Sequence, residues 1–103
     1  MILLEKTISD LQYGGKNMEL TYFYLRTCPH CCRADEIIRE LIAENPKYAD
    51  VKFRKVEESE EKELADSYDY WYVPCFYLGT EKLMEGVPSK EKVKAALDRA
   101  LLK

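Results

Sequence analysis

An apolar run, Leu20–Leu25, gives way within a few residues to Cys28-Pro29-His30-Cys31, and from Pro29 onward the apolar positions recur at helical spacing. Proline is favoured at the first position of a helix, where its missing N–H is not needed and its φ is already set. Pro29 is thus read as the first helical residue and Cys28 as the N-cap. A strand that hands over to a helix, with another strand to follow, is closed by a parallel crossover connection. This junction therefore constrains the architecture more than any other feature of the chain. It also constrains the chemistry. A Cys28 thiolate at the N-cap would receive the free N–H groups of His30 and Cys31 and the positive end of the helix dipole, a setting that favours the thiolate. Cys31 lies one helical turn further on, within reach of a disulfide with Cys28. The pattern points to redox chemistry.

The rest of the chain is consistent with one small domain. Its 103 residues can bury roughly 60–70% of the unfolded surface in one core. The chain is 47% hydrophobic and 34% charged, with no low-complexity tract, as in ordinary globular proteins. A net charge of −3 argues against a nucleic-acid partner, and no stretch reaches the ~20 apolar residues of a membrane span. The N-terminus, Met1-Ile2-Leu3-Leu4-Glu5-Lys6, lacks the basic and long apolar regions of a signal peptide. The expected setting is the cytoplasm, where a cysteine pair is more often catalytic or metal-binding than structural. We expect a monomer made of a single domain over 1–103, with an N-terminal extension over 1–18 and a core over 19–103.

Within the extension, Leu4, Ile8 and Leu11 follow helical spacing and run into Gly14-Gly15; a short strand at Ile2–Leu4 is the competing reading. Leu20–Leu25 is apolar on both faces apart from Thr21, as in a strand covered on both sides. The helix from Pro29 aligns Cys31, Ala34, Ile38, Leu41 and Ile42 and should stop before Asn45-Pro46. Val51–Val56 alternates as a strand. Ser59 is expected to cap a short helix with Glu60 and Glu61 in its first turn and Leu64, Ala65 and Tyr68 inward. Cys75–Leu78 and Lys82–Glu85 read as a hairpin, and Val93, Ala96, Leu97, Ala100 and Leu101 mark a final helix.

Thr27-Cys28-Pro29-His30-Cys31 after an apolar strand, followed by Tyr72-Val73-Pro74 leading into another strand, resembles the thioredoxin superfamily, and within it the glutaredoxin-like branch. The resemblance spans about residues 19–102. It implies an α/β, three-layer α/β/α fold with a central mixed four-stranded sheet, here extended by an N-terminal helix or strand. It further implies that Pro74 is cis and packs against the cysteine pair, and that Val73 offers its backbone to an extended substrate by short β-augmentation. Two departures stand out. Tyr22 occupies the place of the buried aspartate that thioredoxins carry six residues before the first cysteine. Gly86-Val87-Pro88-Ser89-Lys90 replaces the element with which glutaredoxins hold glutathione. The implied activity is thiol–disulfide exchange on protein substrates, without a tightly bound cofactor or metal. Glutathione or a flavin-dependent reductase would supply electrons.

Under this reading Cys28 attacks and Cys31, being less exposed, resolves. Pro29, His30 and Arg26 would tune the thiolate, with Arg33 adding positive potential. Val73, Pro74 and Tyr72 would hold substrate, and an exposed Trp71 or Tyr70 would give it an apolar landing surface. Cys32 reads as a partly exposed bystander and Cys75 as a small buried hydrophobe. Glu57-Glu58-Ser59-Glu60-Glu61 reads as a solvated helix start. The alternative is a binding protein in which Cys28, Cys31, Cys32 and Cys75 hold zinc or an iron–sulfur cluster.

Overall fold

The computed structural model describes residues 19–102, so the helix-or-strand reading of the N-terminal extension lies outside the described residues. Four strands, β1 (Glu19–Tyr24), β2 (Lys52–Glu57), β3 (Cys75–Leu78) and β4 (Glu81–Glu85), form one sheet in the order β2-β1-β3-β4. β1 pairs parallel with β2 and antiparallel with β3, and β3 pairs antiparallel with β4. The helices are α1 (Pro29–Glu44), α2 (Lys62–Asp66) and α3 (Lys90–Leu101). The parallel pair is the crossover that the strand-to-helix junction required.

Alternation along β1 divides the core in two. Leu20 and Tyr22 point to the face covered by α1 and α3, where Ala34, Ile37, Ile38, Leu41, Val93, Ala96, Leu97 and Ala100 close over Phe76 and Leu78. Phe23 points to the opposite face and meets Val56, Ala65, Cys75 and Tyr77, with Leu64, Tyr68 and Tyr70 around them. The mixed sheet is thus the middle of three layers. Ile37 joins the buried stripe of α1 in place of Ile42, which is only half-buried.

The local stop signals act as their chemistry dictates. α1 ends at Glu44, and the Asn45 side chain accepts from the Lys47 N–H to begin a short 3-10 helix, Pro46–Asp50, absent from the sequence reading. Ser89 caps α3 by accepting from the Lys92 N–H. Ser59 departs from expectation. Its hydroxyl donates to Glu57 Oε1 at 2.5 Å instead of capping a helix, and α2 begins only at Lys62. The Glu57 carboxylate accepts from both the Ser59 hydroxyl and the Ser59 N–H, and so holds Ser59 in the turn that follows β2. Among the described residues no helix is long and apolar enough to cross a membrane.

Candidate active site

β1 delivers the chain to the helix start. The Cys28 N–H donates to the Leu25 carbonyl at 3.1 Å, Cys28 takes an extended N-cap conformation, and Pro29 opens α1. One expectation fails here. The Cys28 side chain makes no capping hydrogen bond; the N–H groups of Cys31 and Cys32 both donate to the Cys28 carbonyl, each at 3.1 Å. The carbonyl oxygen of Cys28 thus takes the first intrahelical hydrogen bonds of α1. The sulfur is instead directed across the cleft, 3.9 Å from the Val73 carbonyl oxygen.

Cys31 sits one turn deeper at 2% exposure, whereas Cys28 is half-buried. Burial pushes the Cys31 thiol well above its ordinary value. Cys32 is exposed. Cys75 is sealed in the opposite layer, where burial pushes its thiol up to about 12. Among the described residues no group of three or more His, Cys, Asp or Glu is arranged to hold a metal ion.

The second wall of the cleft is the loop before β3. Its Val73–Pro74 peptide is cis, Val73 is half-buried and Pro74 fully buried. Trp71 and Tyr72 stand in solvent at 84% and 69% exposure. Tyr70 does not belong with them: its ring stacks on Phe23 and its hydroxyl donates to Glu58 at 2.5 Å.

The arginines also fall differently from expectation. The Arg26 guanidinium pairs with Glu60 and, at 3.9 Å, with Glu57; Arg33 pairs with Glu36 and Glu40. Each positive charge is met by carboxylates, which offset the potential it would lend Cys28. Pro29 and His30 lie exposed in the first turn of α1.

Two residues that position the site went unrecognised in the sequence. Glu57, at the end of β2, is buried and accepts from the Arg26 N–H at 2.9 Å, the Ser59 N–H at 2.8 Å and the Ser59 hydroxyl. It anchors the loop that carries Cys28. Glu85, at the end of β4, accepts from the N–H groups of Trp71 and Tyr72 and pairs with Lys82 at 2.8 Å. It anchors the opposite loop, aided by Gly86, whose N–H donates to the Pro74 carbonyl at 2.9 Å with φ at +85°. A carboxylate ending an otherwise apolar or alternating strand was the available signal. Glu57 carried it but was masked by the acidic run that follows.

Fold and site together define a dithiol centre at a strand-to-helix junction, faced by a proline loop. The sequence matches the Thioredoxin family over residues 5–102, and the chain belongs to that family. It is 26% identical over 84 residues to a thioredoxin of Methanocaldococcus jannaschii, a match covering 82% of this chain and 96% of that protein. Among solved structures, the oxidised thioredoxin of Plasmodium falciparum superposes with a TM-score of 0.63 at 17% identity, covering 92% of this chain and 91% of that one. Thioredoxin O2 of Arabidopsis thaliana, also oxidised, gives 0.54 at 23% identity, covering 94% and 88%. The superpositions establish the fold; family membership supports thiol–disulfide exchange as the chemistry.

Proposed function

We propose that this chain is a thiol–disulfide oxidoreductase that reduces protein disulfides through Cys28 and Cys31. The observation that carries the reading is the Cys28 sulfur at the mouth of α1, half-buried and 3.9 Å from the Val73 carbonyl, with Cys31 sealed one turn behind it. The Cys28 thiolate attacks one sulfur of the substrate disulfide. The far sulfur leaves as a thiolate and takes up a proton, and Cys28 is left in a mixed disulfide. The Cys31 thiolate then attacks the Cys28 sulfur and expels the second substrate thiolate, closing the Cys28–Cys31 disulfide. Two electrons pass to the substrate. Glutathione or a flavin-dependent reductase restores the dithiol, and no tightly bound cofactor takes part.

Val73 presents its backbone to an extended segment of the substrate, a recognition that reads main chain and accepts many partners. Trp71 and Tyr72, exposed beside it, supply apolar contact. His30 and Pro29 tune Cys28 from the first turn. The glutaredoxin-like traits are the Cys-Pro-His-Cys motif and Tyr22. Reduction of insulin disulfides with dithiothreitol as electron donor tests the proposal: Cys28→Ser is expected to reduce the rate to the uncatalysed background. Retained activity in that variant overturns it.

A further inference from the structure

On the α2 side of the dithiol lies an open groove of about 620 Å³ for which the exchange chemistry has no use. Its apolar lining includes Leu25, three residues before Cys28, and Tyr70 and Trp71, just before Val73-Pro74. These walls are held from behind. The Tyr70 ring stacks on Phe23 and its hydroxyl donates to Glu58. The Tyr77 hydroxyl donates to the Asp69 carbonyl at 2.6 Å, and the Trp71 N–H donates to Glu85. The groove is thus formed before any partner arrives.

Its charge is one-sided. Glu58, Asp66 and Asp69 line it, against one cation, Lys62. Among the described residues none of these four takes part in an ion pair, and Asp66, Asp69 and Lys62 are exposed. Arg26, next to Leu25 in the chain, is already met by Glu57 and Glu60. The segment 57–69 carries seven carboxylates and one lysine, so a chain of net charge −3 concentrates negative charge on this flank.

We propose that this groove selects substrates carrying an arginine or lysine close to the attacked cysteine, with the cation met by Glu58, Asp66 and Asp69 and the side chain against Trp71. The inference rests on the proposed exchange at Cys28 and names the substrates that exchange favours. Spacing supports it. The Cys28 sulfur faces the Val73 carbonyl at 3.9 Å, and Trp71 is two residues before Val73. Extended chain advances ~3.3 Å per residue, so a substrate residue two or three places from its cysteine reaches the groove. Arginine suits it better than lysine, because a planar guanidinium stacks on an indole while donating to carboxylates. Exposed ion pairs add little affinity. The groove therefore acts chiefly on the rate of encounter and on the rejection of acidic segments.

The test uses the whole chain, reduced, with three synthetic peptides that each hold one internal disulfide. They differ only two places from each cysteine, where they carry arginine, glutamine or glutamate. Second-order rate constants for peptide reduction are read by chromatography of acid-quenched samples. At low ionic strength the arginine peptide should react about tenfold faster than the glutamine peptide, and the glutamate peptide about tenfold slower, the modest end of electrostatic steering. At about 1 M salt, where charges are screened beyond ~3 Å, the three rates should converge. Replacing Asp66 and Asp69 together by asparagine is expected to shrink the arginine-to-glutamate ratio about tenfold. Lys62→Gln, which removes the opposing cation, should widen that ratio about threefold. Equal rates for the three peptides, a preference that survives high salt, or a ratio unmoved by the asparagine pair overturns the inference. Failure of the underlying reading looks different: no peptide is then reduced above background, or Cys28→Ser reduces all three as fast as the parent protein, and the inference falls with it.

Discussion

The loop that carries Cys28 and the loop that carries Val73-Pro74 each rest on a glutamate at the end of a strand, yet the anchors differ in depth. Glu57 is buried at 6% exposure and its carboxylate is filled by two backbone N–H groups and a hydroxyl. Glu85 is half-buried, and its donors, Trp71 and Tyr72, belong to an exposed segment. Buried charge-assisted hydrogen bonds hold geometry tightly because nothing replaces them when they open. Exposed ones compete with water. The Cys28 loop is therefore mounted on the stiffer support, and the Val73-Pro74 loop on the looser one. Under the proposed function this division would suit a catalyst with one fixed nucleophile and many partners.

Substitutions on either side test that contrast. The largest effect is expected from Cys31→Ser on the stiff side. Turnover in the insulin assay should fall by more than about a hundredfold while a covalent Cys28–substrate adduct accumulates, visible by mass spectrometry as the two-step exchange requires. Next is Glu57→Ala, which strands the Arg26 and Ser59 N–H groups under the Cys28 loop. It should lower both the urea midpoint and kcat, and lower them more than Glu85→Ala does; equal losses would erase the distinction.

Glu85→Ala is expected to act mainly on substrate. Two exposed N–H groups lose their acceptor at ~1 kcal/mol or less each, so KM for a peptide disulfide should rise by up to about thirtyfold with kcat nearly unchanged. The smallest effect is on pH dependence. The Glu85 carboxyl is held at about 2, below its ordinary value of 4.5, chiefly by Lys82 and then by the Trp71 N–H. The folded state thus binds this proton less readily than the unfolded chain does. The contribution of Glu85 to stability is full above about 4.5 and fades as pH falls toward about 2. Urea unfolding across that interval should show Glu85→Gln losing less stability with acidification than the parent protein.

Much of the helix-start side was readable in advance. Pro29 at the first helical position, the stop before Asn45-Pro46 and the burial of Cys31 beneath a more open Cys28 all follow from steric and hydrogen-bonding rules that act within a turn of helix. The short α2 starts later than expected because Glu57, buried by the packing of the sheet, holds both the N–H and the hydroxyl of Ser59 in the preceding turn. Arg26 was expected to lend positive potential to Cys28, and the carboxylates that meet it lie more than thirty residues away along the chain, where the sequence gives no sign of the pairing.

The order of strands and helices, the polarity of their faces and the position of the dithiol are properties of neighbouring residues, and the sequence alone determined them. Which glutamate supports which loop, the 3.9 Å approach of the Cys28 sulfur to Val73 across 45 residues, and the meeting of Tyr22, Asp35 and Lys55 behind Cys31 were decided only by the tertiary structure. Local rules choose the conformation of a segment. The partner of a buried polar group is chosen by whatever the folded sheet brings within hydrogen-bond distance, and chain separation carries no record of that choice.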